Sequence, residues 1–274
     1  MQERLELPGA KNIMNLDFGY IKSYGLSECG PYRANNEDAL LLLPKAGCFF
    51  VADGMGGGEA GEVASGMLLE MIQKGMGDSV DDCPGERKQH LNDIVQEANT
   101  AIQRYSQEHG FTKGMGSTLV GLVFDSWDPT IVHVCHAGDS RAYLFRNGHL
   151  NQLTKDHAST IRKHGVTRAI GPMQKVELEW NVFLSLKPYD ILILCSDGMS
   201  GNWDNAEIEK YLNTLELNCE IMPRELVKEA IAHGSHDNVT VVAIQISDIL
   251  PPPVDVSETM KKESDFLLQQ GTIV

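Results

Sequence analysis

Short apolar runs bounded by glycine, proline, aspartate or asparagine recur along the chain, and they predict β-strands. The dipeptide Asn147-Gly148 separates two of these runs and is typical of a two-residue hairpin turn, because both of its positions require a positive φ. Consecutive strands joined by hairpins pair antiparallel, so we expect antiparallel sheets rather than βαβ units. The predicted strands are Phe18–Tyr24, Ala39–Leu43, Cys48–Asp53, Ser117–Asp125, Thr130–His136, Arg141–Arg146, His149–Leu153, Val176–Leu186, Asp190–Cys195 and Asn238–Ile246.

Helical periodicity interrupts the strands in a few segments only. In one of them, Leu91, Ile94, Val95, Ala98 and Ile102 share one face, as expected of an amphipathic helix. Together with the strands, these segments predict an α+β fold. The predicted helices are Glu59–Gly75, Glu86–His109, Asn205–Leu215 and Pro223–His233.

The 274 residues contain no internal repeat and are enough for one large domain. We expect residues 16–247 to form that domain, after an N-terminal extension at 1–15. Pro251-Pro252-Pro253 leads a C-terminal tail at 248–274, which we expect to be flexible.

Charge and cysteine usage narrow the class of protein. The formal net charge of −15 argues against a nucleic-acid binder and against an anionic membrane surface. The N-terminus has no apolar core of signal-peptide length, and no segment approaches a membrane span. The six cysteines include no C-x-x-C pair, and Cys48, Cys135 and Cys195 lie in apolar runs. We therefore expect a cytoplasmic protein with reduced thiols.

The glycine pattern Gly56-x-Gly58-x-x-Gly61 suggests a dinucleotide fingerprint, but its context does not. The segment KGMGDSVDDCPG follows where a second strand would be required. In addition, Asp53 stands at the mouth of the turn, where an anionic pyrophosphate would have to approach. A dinucleotide-dependent oxidoreductase is therefore disfavoured.

Asp53 is instead one of a set of acidic residues at the ends of apolar strands. Each alone is more simply read as a turn residue. As a group they would repel one another unless protons or cations neutralised them. Oxygen ligands without paired histidines or cysteines favour Mg²⁺ or Mn²⁺, and two such ions would generate a nucleophile from water at neutral pH. The set is Asn36-Glu37-Asp38, Asp53, Asp139, Asp197 and Asp237.

Arg33 lies close to this set in sequence, and its guanidinium could hold two oxygens of a phosphate. With it, the chain resembles the metal-dependent protein phosphatases, the protein phosphatase 2C-like (PPM) family. The resemblance covers residues about 16 to 247, and the DGMGG and AGE patterns look more like bacterial members. The matching segments are RANNED (33–38), VADGMGGGEAGEVAS (51–65), GMGSTLVGLVF (114–124), HAGDSRAYLF (136–145), TRAIG (167–171), LILCSDGM (192–199) and HDNVTVV (236–242).

The resemblance implies a four-layer α-β-β-α sandwich, with a dinuclear metal site at one sheet edge. It implies that Asp53 bridges two Mn²⁺ or Mg²⁺ ions and that the Gly54 carbonyl and Glu37 serve one of them. Asp197 and Asp237 would hold the other ion, Asp38 would orient metal waters, and Asp139 with Asp197 would offer a weaker third site. Arg33 would bind the phosphoryl group during in-line attack by a bridging hydroxide.

Two departures from the family pattern leave details open. Met55 and Gly58 stand where relatives carry histidines, so the acid that protonates the leaving group is unassigned. His136 or a metal-bound water could serve, whereas His157 and His164 are more simply packing or surface residues. The flap expected near 156–171 also looks short.

The implied function is a cytoplasmic, signalling phosphoserine and phosphothreonine phosphatase that acts on phosphoproteins and opposes a Ser/Thr kinase. We expect a monomer that binds neither nucleic acid nor membrane. Two alternatives share the fold. One is a regulatory phosphatase dedicated to a single switch phosphoprotein, and the other is a catalytically silent pseudophosphatase that only binds phosphoproteins.

Overall fold

The structure is a computed structural model that describes residues 16–18, 20–56, 59–77, 84–111, 114–125, 128, 130–158, 166–183 and 185–248. The predicted extension at 1–15, most of the tail and the centre of the flap lie outside them. The strands are β1 (Leu16–Phe18), β2 (Ile21–Glu28), β3 (Asp38–Leu43), β4 (Cys48–Met55), β5 (Gly116–Ser117), β6 (Leu119–Phe124), β7 (Val132–Ala137), β8 (Arg141–Arg146), β9 (His149–Gln152), β10 (Glu179–Phe183), β11 (Ile191–Cys195) and β12 (Val239–Ile246). The α-helices are α1 (Glu59–Met76), α2 (Pro84–Glu108), α3 (Asp197–Ser200), α4 (Asn205–Leu212) and α5 (Met222–Ala232).

The strands form two sheets in which the recorded pairings of the described residues are antiparallel. The first sheet has the order β1-β2-β12-β11-β8-β9. The second has the order β10-β7-β6-β4-β3, with the short β5 paired to β4. This arrangement confirms the predicted antiparallel α+β class.

The side chains of β4 alternate between two hydrophobic cores, and this alternation shows how the helices and sheets are layered. Cys48, Phe50 and Ala52 pack in the same core as α1 and α2, whereas Phe49 and Val51 pack between the two sheets. Strand β12 alternates in the same way, between the core under α4 and α5 and the core between the sheets. Successive side chains of a strand point to opposite faces, so each central strand contacts two cores. The result is the predicted α-β-β-α sandwich.

Several boundaries differ from the sequence-based expectations. Residues 18–24 do not form one strand, because the chain turns at Tyr20 between β1 and β2. The run Val176–Leu186 forms a strand only where β7 supplies a partner, from Glu179 to Phe183. The one-turn helix α3 was not predicted, since four residues are too few for periodicity. The Asn147-Gly148 turn has φ values of 53° and 80°, which confirms the expected hairpin.

In antiparallel sheets the end of one strand lies beside the start of its neighbour, and this gathers the acidic positions. Asp38 begins β3 directly opposite Asp53 near the end of β4. Asp197 follows β11, and Asp237 precedes its partner β12. None of the helices in the described ranges is long and apolar enough to cross a membrane.

Candidate active site

Asp38 is a buried carboxylate of the predicted set, held by two hydroxyl groups. Its Oδ2 accepts hydrogen bonds from Ser196 Oγ and from Thr240 Oγ1, each at 2.7 Å. The pKa of Asp38 is raised to about 7, chiefly by burial and also by the charges of Asp197 and Asp237, although the two hydroxyl bonds lower it. These bonds tie β3 to Ser196, which directly precedes α3, and to Thr240 in β12.

Asp53 lies at the centre of the acidic set. Burial raises its pKa well above the usual range, and the charges of four neighbouring aspartates add to the rise. Those neighbours, in order of effect, are Asp38, Asp197, Asp237 and Asp139. The pKa of Asp139 is itself raised to about 6, first by burial and then by Asp197. Five aspartates therefore share one electrostatic environment.

The backbone around Gly54 forms a tight cradle beside Asp53. Gly54 N donates to the Glu37 carbonyl at 3.1 Å, and Ser65 Oγ donates to the same carbonyl at 2.6 Å. A Cβ at Gly54 would overlap the carbonyls of Gly61 and Glu37, so only glycine fits. Burial raises the pKa of the Glu37 carboxyl. The charge of Arg33 lowers this pKa, and the charge of Asp237 raises it.

Three polar residues that the sequence did not indicate as part of the site hold it together. Asn238 Oδ1 accepts from Glu37 N at 2.9 Å, while its Nδ2 donates to the carbonyls of Cys29 and Asn35. Thr118 Oγ1 accepts from Asp53 N at 3.0 Å and bonds to Ser140 Oγ at 2.7 Å. The only signal in the sequence is that each polar residue stands next to, or close to, one of the apolar runs.

Arg33 lies at the exposed side of the site. Its Nη2 donates to Asp237 Oδ2 at 2.7 Å and its Nε donates to the His236 carbonyl at 3.3 Å. The side chains of Arg33 and Asp237 are 44% and 39% exposed. A guanidinium has five N–H donors, so this pair leaves donors facing solvent.

His136 is one of the two candidates for the proton donor, and its surroundings argue against that role. Its side chain is fully buried, and its Nε2 donates to the Lys155 carbonyl at 2.9 Å. Burial also lowers the pKa of His136, so the ring is neutral near pH 7. The buried imidazole, bonded to Lys155, is therefore poorly suited to protonate a leaving group at the acidic site.

The residues of the site fit divalent cations. The candidate ligands are all oxygens, which Mg²⁺ and Mn²⁺ prefer, and burial together with the neighbouring carboxylates raises the pKa values of Asp38, Asp53 and Asp139. Because Gly54 has no side chain, a backbone carbonyl can also approach the acidic site. A cluster of this kind at the edge of a two-sheet sandwich is suited to hold metal ions that activate water.

Comparisons with known proteins identify the family. The model of the family described as Protein phosphatase 2C matches residues 33–232. The serine/threonine phosphatase stp of Listeria innocua is 31% identical over 79% of this chain and 92% of its own. The Streptococcus agalactiae serine/threonine phosphatase structure has a TM-score of 0.76 at 28% identity, covering 83% of this chain and 100% of its own. The structure of the catalytic domain of PstP with two manganese ions has a TM-score of 0.70 at 30% identity, covering 83% of this chain and 99% of its own.

The chain belongs to the protein phosphatase 2C family. It is therefore a metal-dependent phosphoprotein phosphatase by class, as the sequence resemblance implied.

Proposed function

We propose that this protein removes phosphate from phosphoserine and phosphothreonine in phosphoproteins, with two Mn²⁺ or Mg²⁺ ions held by the acidic set. The observation that carries this proposal is the position of Asp53 among four other aspartates, each of which raises its pKa. Asp53, the Gly54 carbonyl and Glu37 would hold one ion. Asp197 and Asp237 would hold the other, and Asp139 with Asp197 would offer a weaker third site. The PstP structure, which contains two manganese ions, supports this count.

The bound ions would neutralise the carboxylates, polarise the phosphate and supply an activated water at neutral pH. The protein's own residues then position the reactants. Ser196 and Thr240 occupy Asp38 Oδ2, so Oδ1 remains available to orient a water. The solvent-facing donors of Arg33 would bind the phosphoryl oxygens beside Asp237.

The natural substrates would be phosphoproteins, and the enzyme would oppose a Ser/Thr kinase as a cytoplasmic monomer. A phosphatase dedicated to one switch phosphoprotein has the same site, and a panel of phosphopeptides separates it from a broad enzyme. A pseudophosphatase would bind phosphopeptides without turnover. The crowding of carboxylates around Asp53 favours an active enzyme, because binding without metals would not need them.

The test is hydrolysis of p-nitrophenyl phosphate and of phosphopeptides with Mn²⁺. We expect turnover that a chelator abolishes, and a loss of roughly 100-fold or more in Asp53→Asn. Asp93→Asn, at an exposed position of α2, is the matched control and should retain activity. Metal-loaded protein that binds phosphopeptides without hydrolysing them would establish the pseudophosphatase instead.

A further inference from the structure

Two histidines and a glutamate form a second cluster close to the turn that carries Asp139. His136 lies in β7, His157 follows β9, and Glu179 begins β10. Among the described residues this is the one group of three or more such side chains whose ligand atoms lie within 4.8 Å of one another. The two imidazole rings stack with centroids 4.4 Å apart and planes 3° from parallel. The composition alone would suggest a metal site.

The hydrogen bonds around His157 give the cluster a different role. The Gly138 amide lies 3.1 Å from His157 Nδ1, and because an amide N–H can only donate, Nδ1 is the acceptor. The ring proton is therefore on Nε2, which donates to Glu179 Oε2 at 3.1 Å. Both nitrogens of His157 are thus occupied. Parallel stacked rings also direct their lone pairs side by side, so they do not converge on one ion.

The same histidine holds Gly138 at both of its backbone groups. The His157 N–H donates to the Gly138 carbonyl at 2.9 Å, in addition to the bond at Nδ1. Gly138 has a φ of 120°, and a Cβ there would lie 2.6 Å from Thr118 Cβ. Gly138 is therefore fixed between His157 and Thr118, and Thr118 bonds to Asp53 on its other side.

We propose that His157, oriented by Glu179, is a positioning residue that sets where Asp139 lies relative to Asp53 and Asp197. Asp139 directly follows Gly138, and its charge acts on both aspartates. Glu179 also lies 3.8 Å from Arg168, which keeps it in place from the far side. The effect on cations rests on the proposed function, whereas the orientation of the histidine does not.

Mn²⁺ binding to the purified protein, measured by calorimetry, tests the positioning. In His157→Ala we expect the weakest Mn²⁺ site to lose about 10-fold or more in affinity, as is usual when a residue supporting a metal ligand is removed. His157→Asn should recover most of that affinity, because its Oδ1 can take the place of Nδ1 as acceptor for Gly138 N. Glu179→Ala should shift the affinity in the same direction as His157→Ala.

The matched control is His133→Asn, which removes a different histidine–carboxylate pair, that of a buried histidine in β7, the strand of His136. His133 Nε2 lies 3.4 Å from Asp125 Oδ2, and the control should lower thermal stability without changing Mn²⁺ affinity. Equal Mn²⁺ affinity in wild type and His157→Ala would overturn the proposal. So would an equal loss in the control, because the effect would then be one of stability alone.

A nitrogen NMR spectrum of the histidines gives a readout that needs neither metal nor turnover. We expect His157 to be the neutral Nε2–H tautomer in metal-free protein, and Glu179→Ala to mix its tautomers. A protonated Nδ1 in wild type would refute the proposal even in an active enzyme. Loss of one bound ion in both His136→Ala and His157→Ala, with no change at Gly138, would make the cluster a metal site instead. If the protein proved inactive, the tautomer and the Gly138 amide signal would still decide the question.

Discussion

Gly54 is the residue at which adding a single methyl group should be most disruptive to the acidic site. Its Cα faces the carbonyls of Glu37 and Gly61, and a methyl group would displace both from the acidic site. We expect Gly54→Ala to abolish Mn²⁺-dependent activity and to lower the free energy of unfolding by about 1–3 kcal/mol. Phosphatase assays and urea denaturation measure the two effects. Gly77→Ala is the control, because the nearest atoms to its Cβ would be 3.7 Å away.

Arg33 is the residue whose removal should separate binding from chemistry. Its contacts are at the solvent side of the site, so the carboxylates should still bind metals without it. We expect Arg33→Ala to raise KM for p-nitrophenyl phosphate by about 10-fold, since one charged hydrogen bond to phosphate is lost. The Mn²⁺ concentration for half-maximal activity should stay unchanged.

The control for Arg33 is Arg224→Ala, an exposed arginine of α5. It should leave both constants as in wild type. A collapse of Mn²⁺ binding in Arg33→Ala would mean that the pair with Asp237 orients a metal ligand, and the phosphate-binding role would then be wrong.

At the scale of single residues, the sequence predicts those whose role follows from their neighbours in the chain. An aspartate at the end of an apolar run can be recognised without a structure, and Asp53, Asp139 and Asp197 are of this kind. Thr118 and His157 could not be recognised, because each acts through a contact with a residue distant in the chain. The same reason left His136 open as a candidate proton donor: a histidine in an apolar run does not show that its ring is enclosed and bonded to Lys155.

Strands and helices were predictable where a local pattern has only one outcome. The hairpin at Asn147-Gly148 requires positive φ, and β8 has the predicted bounds. The ends of a strand could not be predicted where they depend on a partner strand, as in β10, which extends only along β7. The packing of α2 on the sheet depends on one buried charge that periodicity cannot reveal.

That charge is Arg87, which connects α2 to the second sheet. Its Nη1 donates to the Phe124 carbonyl at 2.8 Å, and its Nη2 donates to the Ala46 carbonyl and contacts Cys48 Sγ. We expect Arg87→Met to lower the free energy of unfolding by about 2–5 kcal/mol, because it removes the guanidinium donors from the Phe124 and Ala46 carbonyls. Urea denaturation of metal-free protein measures the loss. Arg104→Met, at an exposed position of the same helix, should cost less than about 0.5 kcal/mol.

For the whole molecule, the acidic site opposes folding whenever no cation neutralises it. The pKa of Asp38 is raised to about 7 and that of Asp139 to about 6, against roughly 4 for an unfolded aspartate. The folded state therefore binds more protons than the unfolded state. Stabilisation from these groups is complete below about pH 4 and is lost as pH rises through 6 to 7.

Two buried histidines act in the opposite direction. Burial lowers the pKa of His133 and of His136, so both favour the folded state when neutral. Their contribution is present above about pH 6.5 and is lost as pH falls through their lowered pKa values. The pH dependence of wild type alone therefore mixes two opposing trends, and a variant is needed to separate them.

Asp38→Asn separates the acidic trend in stability from the histidine trend, since it removes one acidic charge and keeps both histidines. In metal-free protein, we expect its melting temperature to exceed that of wild type at pH 8, by an amount corresponding to a few kcal/mol. The gap should narrow steadily as pH falls below about 4, where Asp38 becomes neutral in folded and unfolded chains alike. Saturating Mn²⁺ at pH 8 should stabilise wild type more than the variant, because ions that bind only the folded state add to its stability. Calorimetric melts with chelator or Mn²⁺ measure both differences, and a gap independent of pH would show that Asp38 does not carry the buried charge.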